Sequence, residues 1–319
     1  MATPGTQYMM QAGLAAGMSA TQGMHSPRPN PVDPHLSDPI SMLPSDLKPD
    51  SKSRITLRSV NAWAKLKSVG LTFVDTAQSY GDGESERICG TPFRACDSFV
   101  VQTKWLSTPD MTNTCIQAGG PKSKLEDSLS RLQLDYVDIY LVHGPIHPIK
   151  ISTVAKGMAD CMIKMADELA KHGVPLSVCQ CEYSIVRRLH EVSGLTRECR
   201  KRSICFQGFA SLAQGRLSGK YSRSNEPQRR RRFSSHPMHV LEPTANVLKT
   251  IAEERSVPVP AVGLNYSIMK GVLPLVGVRD ARQAEQDMQA LGWRLTEDEI
   301  KQIQGVSLQG SRFSLMQHG

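Results

Sequence analysis

Three successive apolar segments, Leu71–Asp75, Ser98–Thr103 and Val137–His143, end at or next to Asp75, Lys104 and His143, and Tyr80 lies five residues beyond the aspartate. Together these residue types suit one kind of chemistry: proton donation to a carbonyl oxygen while hydride reaches the carbonyl carbon. A phenol with a pKa near ~10 is a poor acid until its anion is stabilised, and a neighbouring ammonium does that. In such a set Lys104 lowers the pKa of Tyr80, Asp75 holds and compensates the lysine, and His143 hydrogen-bonds the same oxygen and orients the carbonyl. No side chain can supply the hydride, so the chemistry implies a redox cofactor. Any one of the four alone is more often structural. Their recurrence at equivalent strand ends carries the functional reading.

The elements that must position them follow an α/β pattern. From Thr56 onward short apolar strands alternate with helices, the signature of a parallel sheet. Leu71–Asp75, Ser98–Thr103, Val137–His143, Leu176–Cys181, Ile204–Phe209 and Val272–Val276 read as buried strands. Val60–Ser68, Lys122–Leu132, Thr153–Lys171 and Pro243–Glu254 read as helices, the last capped by Thr244 and burying Val247, Leu248 and Ile251. A (β/α)8 TIM barrel keeps its active site at the C-terminal ends of its strands, where these residues fall, so that is the expected fold.

Eight strands close such a barrel, and six are legible. One gap precedes Val60, where Ile40–Leu43 is the only weak candidate. The other falls in the 32 residues between His143 and Leu176. A strand–helix repeat takes ~30 residues by itself, and this interval must supply more than one. Residues 1–53 are rich in Met, Ala, Gly, Ser and Pro and read as a tail without regular structure, which leaves 54–319 for an incomplete barrel.

Composition excludes other classes. With 39% hydrophobic and 21% charged residues the chain can bury a core, and no apolar run reaches the ~18 residues of a membrane span. Half of the net charge of +8 sits in the single run Arg229–Arg232. Aromatic residues are 5% and do not interleave with the basic ones, so nucleic-acid binding is not expected. The eight cysteines follow no CxxC spacing and read as reduced thiols of a cytoplasmic protein. Cys179 and Cys181 alternate along a strand and read as structural, with no metal implied.

DTAQSYGDGESERICG (Asp75–Gly90), QTKW around Lys104 and SLSRLQLDYVDIYLVH ending at His143 resemble the aldo-keto reductases. The likeness continues through Gly173–Arg188, Phe209–Tyr221 and Lys270–Ile300, and is greatest to the long-chain fungal and plant-type members. It implies a barrel that binds NADP(H) across its C-terminal mouth and reduces a small-molecule aldehyde or ketone, including intermediates of specialised metabolism. It makes Asp75, Tyr80, Lys104 and His143 a catalytic tetrad with Tyr80 as acid. On the cofactor side it implies Gln180 at the nicotinamide amide, Phe209 as the stacking aromatic, and Leu212, Gln214, Gly215 and Lys220 at the pyrophosphate. Gly277, Arg279, Gln283 and Asp287 match the segment holding the adenosine phosphate, with Arg279 on the 2′-phosphate and Asp287 replacing a usual asparagine. The family's glycine- and tryptophan-rich first strand and its GVSN-like strand after Cys161 have no counterpart. The alternative is therefore a relative that keeps the tetrad without turnover and acts as a binding or regulatory protein.

Overall fold

Three parallel strands carry the tetrad. The structure, a computed structural model, describes residues 10–13, 65–68, 70–93, 99–105, 120–143, 170–171, 175–227 and 236–309. The chain divides into two units, Met1–Pro145 with Gly277–Glu285 and Ile146–Val276 with Gln286–Gly319.

In the first unit β1 (Met10–Gly13), β2 (Phe73–Asp75), β3 (Val100–Trp105) and β4 (Ile139–Val142) lie in the order β4-β3-β2-β1. The pairs β2–β3 and β3–β4 are parallel, with Asp75 opposite Gln102 and Lys104 opposite Leu141. Val74, Val101 and Thr103 are buried, as expected for the apolar interior of a parallel sheet. Strand β1 runs antiparallel to β2, pairing Gln11 with Asp75 and Gly13 with Phe73. This corrects the expectation of an unstructured stretch at these four residues. The free edge of β2 presents backbone donors and acceptors that any extended segment can satisfy, whatever its side chains. It is not the parallel first strand of a barrel. Ile40–Leu43, residues 144–169 and Arg229–Arg232 lie outside the described residues, and of the helix expected over Thr153–Lys171 only 170–171, which are helical, are described.

Helices α1 (Glu84–Phe93) and α2 (Gly120–Leu132) follow β2 and β3. They meet where Gly90 lies against the carbonyl oxygen of Leu132, so closely that a Cβ at position 90 would collide with it. Glycine here is a packing requirement.

In the second unit β5 (Val178–Glu182), β6 (Cys205–Phe209) and the start of β7 (Leu273–Val278) are parallel, with Gln180 opposite Gln207 and Gln207 opposite Leu273. Short helices α3 (Leu189–Val192) and α4 (Leu195–Lys201) join β5 to β6. Helices α5 (Met238–Arg255) and α6 (Val259–Met269) precede β7, and α7 (Ala281–Met288) and α8 (Glu297–Gly305) follow it. Leu241, Leu248, Ile251, Val262, Tyr266 and Ile303 form the main apolar cluster. Thr244 is not a cap. Helix α5 begins five residues before Pro243, and the Thr244 hydroxyl donates to the Val306 carbonyl at 2.6 Å from inside it. The true start is satisfied by Glu226, whose carboxylate accepts from the Met238 N–H at 2.7 Å.

All six sequence-read strands are present, and the architecture is α/β with parallel strands. Among the described residues no helix is long and apolar enough to cross a membrane.

Gly90→Ala should destabilise the protein by about 2 kcal/mol, because the methyl must force α1 and α2 apart at a backbone contact. Denaturant unfolding measures this, and an unchanged midpoint would contradict the packing described.

Candidate active site

Each tetrad residue sits where a parallel strand ends. Asp75 is the last residue of β2, Lys104 the penultimate residue of β3, and His143 follows β4 directly, its N–H donating to the Trp105 carbonyl at 2.7 Å. Tyr80 stands in the turn after β2, where its N–H donates to the Ala77 carbonyl and its carbonyl accepts from the Ser85 N–H. The turn then passes through Gly81, Asp82 and Gly83, all with positive φ, before α1 begins. At Gly83 a Cβ would also strike the Arg131 side chain at 2.5 Å, so this stretch must carry glycine.

The geometry converges on the lysine ammonium. Lys104 Nζ donates to Asp75 Oδ2 at 2.7 Å, to the Thr76 carbonyl at 2.9 Å and to Tyr80 Oη at 3.2 Å, which uses all three of its protons. Lysine and aspartate are each 1% exposed. The second Asp75 oxygen accepts from Gln102 Nε2 at 2.5 Å. Tyr80 and His143 meet edge to face, ring centroids 5.5 Å apart, and Ser79 Oγ lies 3.3 Å from His143 Nδ1.

Behind this layer runs a second polar network. Glu86 of α1 is fully buried and accepts from Thr103 Oγ1 and Arg131 Nε, each at 2.6 Å, and Arg131 also donates to Ser128 Oγ at 3.1 Å. Thr103 alternates with Lys104 along β3. Glu86 therefore ties α1 and α2 to the strand that aims the lysine.

The electrostatics depart from expectation at one point. Burial raises the Tyr80 pKa above its ordinary 10.0 and Asp75 adds to the rise, while Lys104 opposes it by charge and hydrogen bond without overcoming it. The expected lowering is thus present as a contribution but not as the net result. Burial disfavours the Lys104 ammonium, yet Asp75 and Tyr80 together raise its pKa, so it stays charged. His143 is held down to about 4, first by burial and then by the Lys104 charge. It is a neutral imidazole across physiological pH, able to donate from one nitrogen and accept at the other.

The model of the Aldo/keto reductase family matches residues 57–308, a span that includes every site residue named from the sequence. The chain belongs to the aldo/keto reductase family. Similar members include the chloroplastic pyridoxal reductase of Arabidopsis thaliana, 29% identical over 74% of this chain and 72% of its own. An aryl-alcohol dehydrogenase of Pestalotiopsis microspora is 28% identical, covering 74% and 69%. Among solved structures, a glycerol dehydrogenase of Gluconobacter oxydans aligns with TM-score 0.64 at 20% identity over 84% of this chain and 88% of its own. An aldo-keto reductase of Klebsiella pneumoniae in complex with NADPH aligns with TM-score 0.60 at 22% identity, covering 82% and 88%. These likenesses establish the (β/α)8 barrel as the fold class.

The aldo/keto reductase residues expected on the cofactor side fall in both units. In the second unit Gln180 of β5 donates from Nε2 to Gln207 Oε1 at 3.0 Å, Phe209 ends β6 partly exposed, and Leu212 precedes a turn at Ala213–Gly215. That turn has positive φ at all three residues, and Lys220 beyond it is exposed. In the first unit Gly277 lies in β7, and Arg279 just past it donates its backbone N–H to Gln283 Oε1 at 3.0 Å. Asp287, in the second unit, is 5% exposed, and burial pushes its carboxyl up to about 7. Cys181 is buried and Cys179 partly so, and no group of described residues could hold a metal ion.

Gln102 and Ser79 are the polar neighbours that the sequence alone did not single out. Strand periodicity could have found Gln102, which shares a face with Lys104 two residues on.

Lys104→Met should destabilise the fold by about 3–5 kcal/mol by leaving the Asp75 charge buried without its cation, and adding Asp75→Asn should recover part of that loss. Additive losses would contradict the pairing. For His143, an NMR titration of the ring should show its midpoint near 4. Between 6.5 and about 4 the unfolded chain binds this proton and the folded chain does not, so the His143 contribution to stability falls as pH drops through that window. A midpoint at 6.5 would contradict the burial.

Proposed function

We propose that the protein is an NADP(H)-dependent oxidoreductase that reduces an aldehyde or ketone to the alcohol, with Tyr80 as the proton donor. The observation that carries this reading is the buried Lys104 ammonium bonded at once to Asp75 at 2.7 Å and to Tyr80 Oη at 3.2 Å.

The side chains present suit a dinucleotide of this kind. Gln180 offers an amide for the nicotinamide carboxamide, Phe209 an apolar ring face, and Lys220 and Arg279 cations for phosphate groups. Leu212, Gln214 and Gly215 would line the pyrophosphate, and Gly277, Gln283 and Asp287 the adenosine end. Bound NADPH supplies the hydride, a two-electron transfer that no side chain can make.

The residues of this chain do the rest. Tyr80 gives its phenolic proton to the carbonyl oxygen, and the phenolate left behind is stabilised by the Lys104 ammonium already hydrogen-bonded to it. Asp75 keeps that ammonium charged and fixed. Neutral His143 donates a ring N–H to the same oxygen, holding the carbonyl in line and taking up part of the charge that develops there. Because burial alone makes Tyr80 a weak acid, the lysine has to be in place for the transfer to be fast. Relatives named for pyridoxal and for aryl alcohols make aromatic aldehydes the first substrates to try.

Purified protein should consume NADPH when given an aromatic aldehyde, and Tyr80→Phe should cut the rate by about 10²–10⁴-fold with NADPH affinity kept. Failure of the wild type to bind NADPH would overturn the proposal. Binding without turnover on any aldehyde or ketone would favour the non-catalytic alternative.

A further inference from the structure

We propose that Gln102 is a positioning residue of the proton-donor site: it holds one oxygen of the Asp75 carboxylate so that the other stays on Lys104. The inference rests on the function proposed above and deepens it. Gln102 is fully buried, and its Nε2 reaches Asp75 Oδ1 at 2.5 Å while Lys104 Nζ occupies Oδ2 at 2.7 Å. The direction of the first bond is fixed by chemistry, because an ionised carboxylate only accepts. Its geometry is fixed by the sheet. Asp75 and Gln102 are register partners across β2 and β3, and Gln102 and Lys104, two residues apart on β3, face the same side.

A carboxylate held only through the lysine can turn about its Cβ–Cγ bond. Held at both oxygens, it cannot. Gln102 also takes up part of a negative charge that otherwise opposes ionisation of Tyr80. The charged or titratable groups around the pair are Lys104, Tyr80 and His143 on one side, with Glu86 and Cys89 behind. Without the amide, the Asp75 carboxylate bears more charge against Tyr80, and that makes Tyr80 a weaker acid.

Gln102→Leu keeps the bulk and removes the donor. Measured as NADPH-dependent aldehyde reduction against pH, it should lower kcat by about tenfold and move the alkaline limb upward by about one pH unit. KM for the aldehyde and Kd for NADPH, read by fluorescence, should stay within a factor of about two, since Gln102 touches neither. Gln102→Glu should regain activity as pH falls, because only the protonated acid can donate to Asp75. A Gln102→Leu enzyme with the wild-type alkaline limb overturns the proposal, even if its stability has dropped, because that pattern marks a purely structural residue. If the leucine variant does not fold, the glutamate variant decides: a pH profile parallel to the wild type overturns the proposal. An inactive wild type, seen before any variant is made, overturns the functional reading and this inference with it.

Discussion

An ammonium and a carboxylate buried side by side place the strictest demand on this structure. Lys104 and Asp75 are each 1% exposed, and charges removed from water to that extent persist only when every donor and acceptor is matched. The surrounding chain meets that demand. All three Lys104 protons have acceptors, both Asp75 oxygens have donors, and the strand register that brings them together is fixed by parallel pairing on both sides of β3. Glu86, Thr103 and Arg131 then tie the helices behind the sheet to the same strand. Breaking any part of this set leaves a buried charge short of a partner, which costs more than the pair contributes when intact.

That demand also shapes the chemistry. The lysine is at once the counter-ion of Asp75 and the hydrogen-bond partner of Tyr80, so in the proposed reaction the group that holds the site together is also the one that eases proton donation. Burial makes Tyr80 a weaker acid than it would be in water, and Lys104 opposes the same effect. His143 is kept neutral by burial and by the lysine charge, which suits it to donating a hydrogen bond rather than carrying a proton. One buried cation thereby lowers the pKa of both neighbours, against the effect of burial at Tyr80 and along with it at His143.

The sequence disclosed the strands because strands buried on both faces read as continuous apolar runs; each of the six was found, with no end shifted by more than two residues. The strand-end positions of Asp75, Lys104 and His143 were legible for the same reason, since polar residues at the ends of such runs are conspicuous. Helix α6 was not. Val259–Met269 is buried nearly all round, from Pro260 through Ser267, so it shows no apolar stripe for periodicity to detect. Thr244 reads as a cap from sequence, but the helix starts at Met238 and places it inside, where its hydroxyl bonds the Val306 carbonyl. Strand β1 carries no sequence signal because its pairing uses backbone groups alone. Periodicity puts Gln102 on the same face as Lys104, but its place beside Asp75 depends on register with another strand, which sequence spacing does not contain.

Membership of the aldo/keto reductase family fits the barrel-type order of strands and helices and the placement of the four residues at strand ends. The central claim is that Asp75, Lys104 and Tyr80 act as one unit whose output is proton donation from the phenol. A double-mutant cycle on the reduction rate tests this most directly, with Asp75→Asn and Tyr80→Phe made singly and together. If the three form one unit, the double variant is no slower than Tyr80→Phe alone, because Asp75 acts only through the lysine that serves the phenol. Losses that multiply in the double variant would show that Asp75 and Tyr80 contribute independently, and would contradict the account.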